Sequence, residues 1–404
     1  MRRIIVASVV LTLLVSFRAA AQPPAPPGGK EPLLRLEAGG PTSFVSSVVM
    51  TADGKRIYAA GYDQIVRSWS LTATNDWALD PFAFRVPIGP GLRGALSALA
   101  LSSDGLWLAA AGFGIVDTGF REAGFVVPTV GFPPERYRDI GVVHVWNTKD
   151  RSVRVLRGHT GPVAALAFGP SREGKAPLLA SAAWDVEFRT FQEVGGVRVW
   201  DPSAELPEIG QRVLPYLPAA RAGLALWPTG DGAKQVQVAI GWGDEKFRRW
   251  DVATDSVDFW PDGKANQPLA VFPDRPKFLT TSYTSNEVTL RVWGHDATEL
   301  PTGIPVFPRG HTPRAIGLVS SAADGKPDHL AAVLESPPDA MDVVSYQLIL
   351  IALDGAKIVQ TQTLWRMPRA ERSLPTLATA AGGKFLVWPG ITRTKFTSSR
   401  STSC

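Results

Sequence analysis

Residues 44–71, FVSSVVMTADGKRIYAAGYDQIVRSWSL, decide the fold. Two apolar runs flank a Thr-Ala-Asp-Gly turn, and a third run, with Ile65, Arg67 and Trp69 on one side, follows a second turn that contains Asp63. Short alternating runs bounded by Asp and Gly are typical of β-strands joined by tight turns. The stretch therefore predicts three consecutive strands, the third of which ends near a tryptophan.

The end of the third run recurs along the chain. The five copies are IVRSW ending at Trp69, VVHVW at Trp146, VRVWD around Trp200, FRRWD around Trp250 and LRVWG around Trp293. The tryptophans are 77, 54, 50 and 43 residues apart. The shortest spacing fits one four-stranded unit, and the longer spacings indicate insertions.

These repeats resemble the WD40 repeat family, over about Leu33 to Pro389. A Gly-His dipeptide precedes two of the units. In three of the units a turn Asp comes before the third strand, the one that ends near the tryptophan. The resemblance implies an all-β, seven-bladed WD40-like β-propeller whose last blade is incomplete. It also implies a buried hydrogen-bonded chain of His, a second-strand hydroxyl, Asp and Trp in a blade. The residues with this expected structural role are Asp63, Trp69, Trp146, His159, Asp185, Trp200, Asp244, Trp250, Trp293 and His311.

The sequence departs from the family pattern in two blades. The predicted hydroxyl position of the third blade is Ala183, and Gly39-Gly40 stands where the first blade would have Gly-His. We therefore expect that no blade carries the whole set. Strand pairing and sheet packing are expected to hold the blades together instead.

The ends of the chain predict four segments. Residues 1–21 combine Arg2 and Arg3, an apolar run and a small-residue site ending at Ala21, which predicts a cleaved secretory signal and a periplasmic or secreted protein. An uncleaved membrane anchor is the alternative. Residues 22–31 read as a Pro/Gly-rich linker, 32–390 as the propeller and 391–404 as an irregular tail.

The tail does not resemble the strand that would complete the last blade. In this family an N-terminal strand commonly closes the ring, and Leu33–Leu36 is suitably placed for that. Closure also needs a third strand after Trp388, but residues 391–404 offer only Ile391 and Phe396 as large apolar residues. One hypothesis is a shifted reading frame or truncated end, which would make this chain the sensor or docking portion of a larger protein.

Composition argues against most catalytic chemistry. The single Cys404 removes disulfides and thiolate metal sites, and the five His show no metal-binding spacing. Loss of residues 1–21 removes three Arg and no acid, so the formal charge of +5 becomes +2 and does not indicate nucleic-acid binding. We expect no catalytic residues, no metal, no cofactor and no membrane span in the mature chain, which should be a monomer.

Two insertions predict the binding surface. Residues 115–139 and 186–196 fall between the second and third strands of neighbouring blades, and a third such loop spans 336–344. Family geometry puts these loops on one face, where aromatic and Arg side chains are typical of binding hot spots for a protein or peptide. The predicted contact residues are Phe120, Arg121, Phe125, Phe132, Arg136, Tyr137, Phe188, Arg189 and Phe191.

Two alternatives remain open at this stage. The insertions could pack on themselves as a small cap over the disc. The chain could also be an exported propeller enzyme, such as a lactonase-like hydrolase or a quinone-dependent oxidoreductase, since fold alone does not decide function. Three or more Asp, Glu or His converging at the axis would favour the enzyme.

Overall fold

A computed structural model gives the arrangement of the strands. The residues that the structure describes are 40–87, 93–114, 141–187, 192–215, 223–230, 234–242, 246–264, 270–271, 277–283, 288–294, 299–300, 307–308, 310–319, 329–352, 357–369, 375–379 and 385–388.

The described residues form antiparallel sheets in which strands pair in chain order. The first three sheets are built from β1 (Val45–Met50), β2 (Arg56–Gly61), β3 (Ile65–Leu71) and β4 (Trp77–Arg85); β5 (Leu96–Leu101), β6 (Trp107–Gly112), β7 (Gly141–Asn147) and β8 (Val153–His159); and β9 (Val163–Phe168), β10 (Leu179–Glu187), β11 (Gln192–Trp200) and β12 (Glu208–Pro215).

The second half of the chain continues the pattern with smaller units. Its sheets are built from β13 (Gly223–Pro228), β14 (Val236–Trp242), β15 (Lys246–Asp251) and β16 (Ser256–Lys264); β17 (Ala270–Val271), β18 (Lys277–Tyr283), β19 (Val288–Gly294) and β20 (Glu299–Leu300); β21 (Thr312–Val319), β22 (His329–Glu335), β23 (Val343–Ala352) and β24 (Lys357–Pro368); and β25 (Thr376–Thr379) with β26 (Phe385–Trp388).

The prediction of seven blades is corrected by this topology. Within the described residues, five sheets have four strands of six residues or more and are full blades. The sheet β17–β20 has outer strands of only two residues, and β25–β26 has two strands. Counting Trp anchors and apolar runs in the sequence overestimates the number of full blades, because neither feature determines the length of the paired outer strands. Leu33–Leu36 and the residues after Trp388 lie outside the described part.

The first strands of the sheets form the inner contacts of the propeller. β1 contacts β5, β5 contacts β9, β9 contacts β13, β17 contacts β21, β21 contacts β25, and β25 contacts β1. The fourth and fifth sheets meet through β16 and β18. The last described sheet therefore packs directly against the first.

Each described third-strand tryptophan side chain seals a boundary between sheets. Trp250 packs on Gly210 of the preceding sheet, and a Cβ added at Gly210 would lie 3.3 Å from the indole ring. The ring centroid of Trp146 lies 5.5 Å from that of Phe84 in the preceding sheet. Trp69 belongs to the same buried cluster as Ala378 of β25. Alternation places the ring on the side of the strand that faces the previous sheet, so these side chains bury apolar area where two blades meet. Trp293 lies in β19, but its side chain is outside the described residues.

The hairpins that open the first two sheets share one turn chemistry. Asp53 Oδ1 accepts hydrogen bonds from Thr51 Oγ1 at 2.6 Å and from the Lys55 backbone N–H at 3.0 Å. Asp104 Oδ1 accepts from Ser102 Oγ at 2.5 Å and from the Leu106 N–H at 2.9 Å. The glycine after each Asp has a positive φ, 64° and 71°, which Gly adopts without the steric cost of a Cβ. The Ser/Thr-x-Asp-Gly signal therefore fixes both turns.

Candidate interaction face

One end of the sheets collects the loops that could bind a partner. In every four-stranded sheet the loop between the second and third strands lies at the same end as the start of the first strand, because consecutive strands are antiparallel. We call this end the loop face. Its described segments include residues 61–65, 160–162, 310–311 and 336–342.

A buried polar chain supports the loop face in the third sheet. His159 Nδ1 lies 2.9 Å from Asp185 Oδ2, and His159 Nε2 lies 2.6 Å from Ser181 Oγ. Trp200 Nε1 donates to the same Ser181 hydroxyl at 2.7 Å. All four residues are buried. The hydroxyl of this blade is therefore Ser181 and not Ala183, and the expectation that no blade carries the complete set is wrong.

The Ser181 hydroxyl joins two of these neighbours. An indole N–H can only donate, so the Ser181 oxygen accepts from Trp200. The two ring nitrogens of His159 bridge this hydroxyl and the Asp185 carboxylate. Each of the four buried polar side chains thus has a hydrogen-bond partner, which is the condition for burying them without large cost.

Asp185 connects the buried polar chain to the backbone of residues 160–162. Its Oδ1 accepts from the Thr160 N–H at 2.7 Å and from the Gly161 N–H at 3.1 Å. Burial by itself would raise the pKa of Asp185, but the charge interaction and hydrogen bond with His159, followed by the positive charge of Arg198, outweigh burial and hold the pKa below its ordinary value. The carboxylate thus fixes the segment that leads into the third sheet.

Other sheets place a carboxylate at the same corner with different partners. In the first sheet Asp63 accepts from the Thr42 N–H at 3.1 Å and forms a buried ion pair with Arg67. In the sheet β21–β24, Glu335 Oε2 accepts from Arg314 Nε at 2.8 Å and from the Tyr346 hydroxyl at 2.9 Å. Sequence reasoning missed Glu335. Its position could have identified it, because Glu335 lies six residues after the start of the second strand of its sheet, as Asp185 does in the third sheet.

Several of the predicted structural residues can be located in the described part of the structure. The side chains of Trp69, Trp146, Trp200 and Trp250 are buried, and His159 meets Asp185 as described above. His311 lies immediately before β21 and next to Gly310, whose φ is 76°. Asp244 lies outside the described residues.

None of the predicted contact residues can be placed. Phe120, Arg121, Phe125, Phe132, Arg136, Tyr137, Phe188, Arg189 and Phe191 all lie outside the described residues. The interpretation of residues 186–196 as an inserted loop is corrected, because β10 and β11 extend across most of it and pair as far as Glu187 and Gln192. Gly196 permits this pairing, since a Cβ there would overlap the Asp185 carboxylate. The extra residues therefore mainly lengthen a hairpin.

The loop of residues 336–342 is the fully described member of the predicted set. Asp339 Oδ1 accepts from the backbone N–H groups of Met341 and Val343, at 2.9 and 3.0 Å. Its Oδ2 accepts from Arg366 of the outer strand at 2.6 Å. The hydrogen bond from Val343 and the Arg366 charge hold the pKa of Asp339 below its ordinary value. The loop is thereby held in one conformation at both its base and its tip.

The tip of this loop presents an apolar side chain to solvent. Met341 is 78% exposed, although its own backbone N–H and that of Asp342 both donate to Asp339. On the loop 61–65, Tyr62 is partly exposed and packs edge-on against Phe44, with ring centroids 5.5 Å apart. The described loop face therefore combines a rigid backbone with exposed apolar side chains.

Among the described residues, no three His, Cys, Asp or Glu side chains are grouped closely enough to hold a metal ion. Within the same residues there is no helix with the length and apolar character needed to cross a membrane.

Comparisons with known proteins agree with this architecture. Residues 31–70 match the family model described as WD40: WD domain, G-beta repeat. The fold is similar to that of the WD40 beta propeller domain of Doa1, with 15% sequence identity, a TM-score of 0.51 and coverage of 86% of this chain and 90% of that chain. The structure of U3-55K is similar with 16% identity, a TM-score of 0.49 and coverage of 86% and 89%. Among curated proteins, none matches this chain.

Proposed function

We propose that this chain, which contains a WD40 repeat and has the fold of WD40 β-propeller domains, is an exported scaffold that binds a protein or peptide partner through its loop face. The observation that carries the proposal is the loop 336–342, where Asp339 and Arg366 fix the backbone and Met341 is left 78% exposed. WD40 propellers generally mediate protein interactions, and the described part of this chain holds no grouped metal ligands that would favour a catalytic centre.

A rigid loop with an exposed methionine suits partner binding for two physical reasons. Ordering a loop on binding costs free energy, so a loop already held by hydrogen bonds loses less when it is covered. Methionine is unbranched and polarisable, and it is enriched at protein interfaces because it adapts to differently shaped apolar partners. The predicted insertion 115–139 would extend the same face.

The proposal also covers the cellular setting and the state of the protein. The basic residues, apolar run and Ala21 of residues 1–21 support export to the periplasm or beyond, followed by the Pro/Gly-rich linker 22–31. Export would leave the mature chain with a formal charge of +2 and no electrostatic basis for binding nucleic acid. We expect the mature chain to be a monomer without a membrane span.

Affinity capture with matched variants tests the binding face. The mature chain, residues 22–404, is used to capture partners from an envelope extract, in parallel with Met341→Lys, with a deletion of 115–139 and with Leu206→Lys. Leu206 is 85% exposed but lies between β11 and β12, at the end of the sheets opposite the loop face, and serves as the control.

The captured protein is then purified and titrated against each variant. We expect Met341→Lys to raise the Kd at least about tenfold, as for an apolar hot-spot side chain, and Leu206→Lys to leave it unchanged. Equal Kd values for the wild type, Met341→Lys and the deletion would show that the partner binds elsewhere. Intact mass of the chain recovered from the periplasm or the medium tests export, which requires an N-terminus at Gln22.

A further inference from the structure

A cavity opens at the end of the first two sheets that is opposite the loop face. Its volume is about 480 Å³, within the range of small-molecule sites. The β1–β2 turn and the β5–β6 turn both line it, together with the end of β3. The lining residues include Asp53, Lys55, Arg56, Tyr58, Ser103 and Asp104. The site is therefore shared between two blades.

The lining combines fixed acceptors with fixed donors. Asp53 and Asp104 each use Oδ1 to hold their own turn, which fixes the direction of both carboxylates. Arg56 Nε donates to Ser70 Oγ at 3.2 Å, and the guanidinium lies 3.7 Å from Asp80, which orients its remaining N–H groups. Both walls are thus organised before any ligand is present.

The charges of the cavity nearly cancel, which restricts the ligand. Burial alone would lower the pKa of Arg56, but its hydrogen bond with Tyr58 and the nearby carboxylates outweigh burial and raise it. The guanidinium thus stays charged beside those acids. A small anion drawn to Arg56 and Lys55 would meet Asp53 and the neighbouring Asp80. A cation drawn to the carboxylates would meet Arg56 in the same space.

A neutral ligand rich in hydroxyl groups is repelled neither by the carboxylates nor by the guanidinium. Each hydroxyl both donates and accepts, so adjacent hydroxyls can donate to a carboxylate and accept from a guanidinium or ammonium group. Hydrogen bonds to charged groups are stronger than those between neutral groups, which suits a ligand without charge of its own. We propose that the cavity between the turns Thr51–Lys55 and Ser103–Gly105 binds a neutral sugar residue.

Ligand-observed NMR and calorimetry with the full mature chain test the proposal. The probes are glucose, galactose, mannose and N-acetylglucosamine, with inorganic phosphate, lysine and glycine as the anionic, cationic and zwitterionic probes. Two variants address the cavity: Ser103→Trp fills it from an exposed position, and Lys55→Ala removes an exposed ammonium group from its wall. Lys149→Ala is the matched control, since Lys149 is an exposed lysine at the same end of the second sheet and is not part of the lining.

The proposal predicts saturable binding of at least one sugar. Ser103→Trp should abolish that binding, Lys55→Ala should raise the Kd about fivefold or more, and Lys149→Ala should leave it unchanged. Binding should persist when the salt concentration is raised about tenfold, because the ligand has no charge to be screened.

Several results would overturn it. They are binding of phosphate, lysine or glycine without any sugar, binding of no probe at all, or sugar binding that survives Ser103→Trp in a protein with unchanged unfolding. Met341→Lys should bind sugar as the wild type does. The test is therefore independent of the proposed partner-binding face.

Discussion

Replacing Ser181 with Ala should destabilise the protein by about 3 kcal/mol. The hydroxyl is completely buried, accepts from Trp200 Nε1 at 2.7 Å and lies 2.6 Å from His159 Nε2 in a second hydrogen bond. Its removal leaves the buried indole N–H and the buried His159 Nε2 without this partner, and each such group costs about 1–3 kcal/mol. Against a typical total of about 5–15 kcal/mol, the loss is a large fraction of the free energy of unfolding.

Urea unfolding followed by tryptophan fluorescence measures this change. The wild type is compared with Ser181→Ala, Trp200→Phe and the double variant, and the double-mutant cycle isolates the coupling of the two side chains. Ser171→Ala is the control, since its exposed hydroxyl lies 2.9 Å from Ser103 Oγ at the surface, and its effect should stay within about 0.5 kcal/mol. A Ser181→Ala effect as small as that of the control would refute the idea that the buried chain stabilises the third sheet.

Three further variants test other parts of the fold. Burial, together with the charge of Arg157, lowers the pKa of His144 from 6.5 to about 4. As the pH drops from 6.5 to 4, the unfolded chain therefore binds a proton at this histidine before the folded chain does, and the free energy of unfolding should fall by up to about 3 kcal/mol. His144→Phe should flatten this dependence in urea titrations at several pH values, and an unchanged slope would contradict the assignment. Gly196→Ala should cost more than about 3 kcal/mol, because its Cβ overlaps the buried carboxylate of the same sheet, and a melting temperature near that of the wild type would exclude that overlap. Arg67→Met should cost about 3–5 kcal/mol because it leaves Asp63 buried without its cation, and a loss below 1 kcal/mol would show that the pair is not stabilising.

The strands could be predicted from the sequence where two signals coincide. In the first sheet, alternation and the Thr-Ala-Asp-Gly turn both locate β1, β2 and β3. Where only one signal is present, the sequence is less informative. The region between Asp185 and Trp200 contains nine more residues than the first unit has, and alternation does not specify where a hairpin turns. Backbone pairing made these residues strand, so the insertion became a longer hairpin.

The site was harder to predict because it depends on register. Ala183 and Ser181 lie on the same side of β10, and counting along the sequence does not distinguish them. Leu179 pairs with Trp200, so Ser181 lies two residues and Ala183 four residues along β10 from the residue opposite the tryptophan. Two residues of strand span about 7 Å. Only the nearer residue can reach the indole N–H. Glu335 was missed for a similar reason, since its partners come from Arg314 and Tyr346 and not from a Gly-His element.

Amide hydrogen exchange of the mature chain, alone and saturated with its captured partner, tests the central claim most directly. We predict slower exchange on binding in the loop 336–342 and in the segment 61–65. The turns at the opposite end, residues 51–55, 102–106 and 201–207, should exchange as they do in the free chain. Protection confined to those turns, with the Met341 loop unchanged, would contradict a partner-binding surface on the loop face.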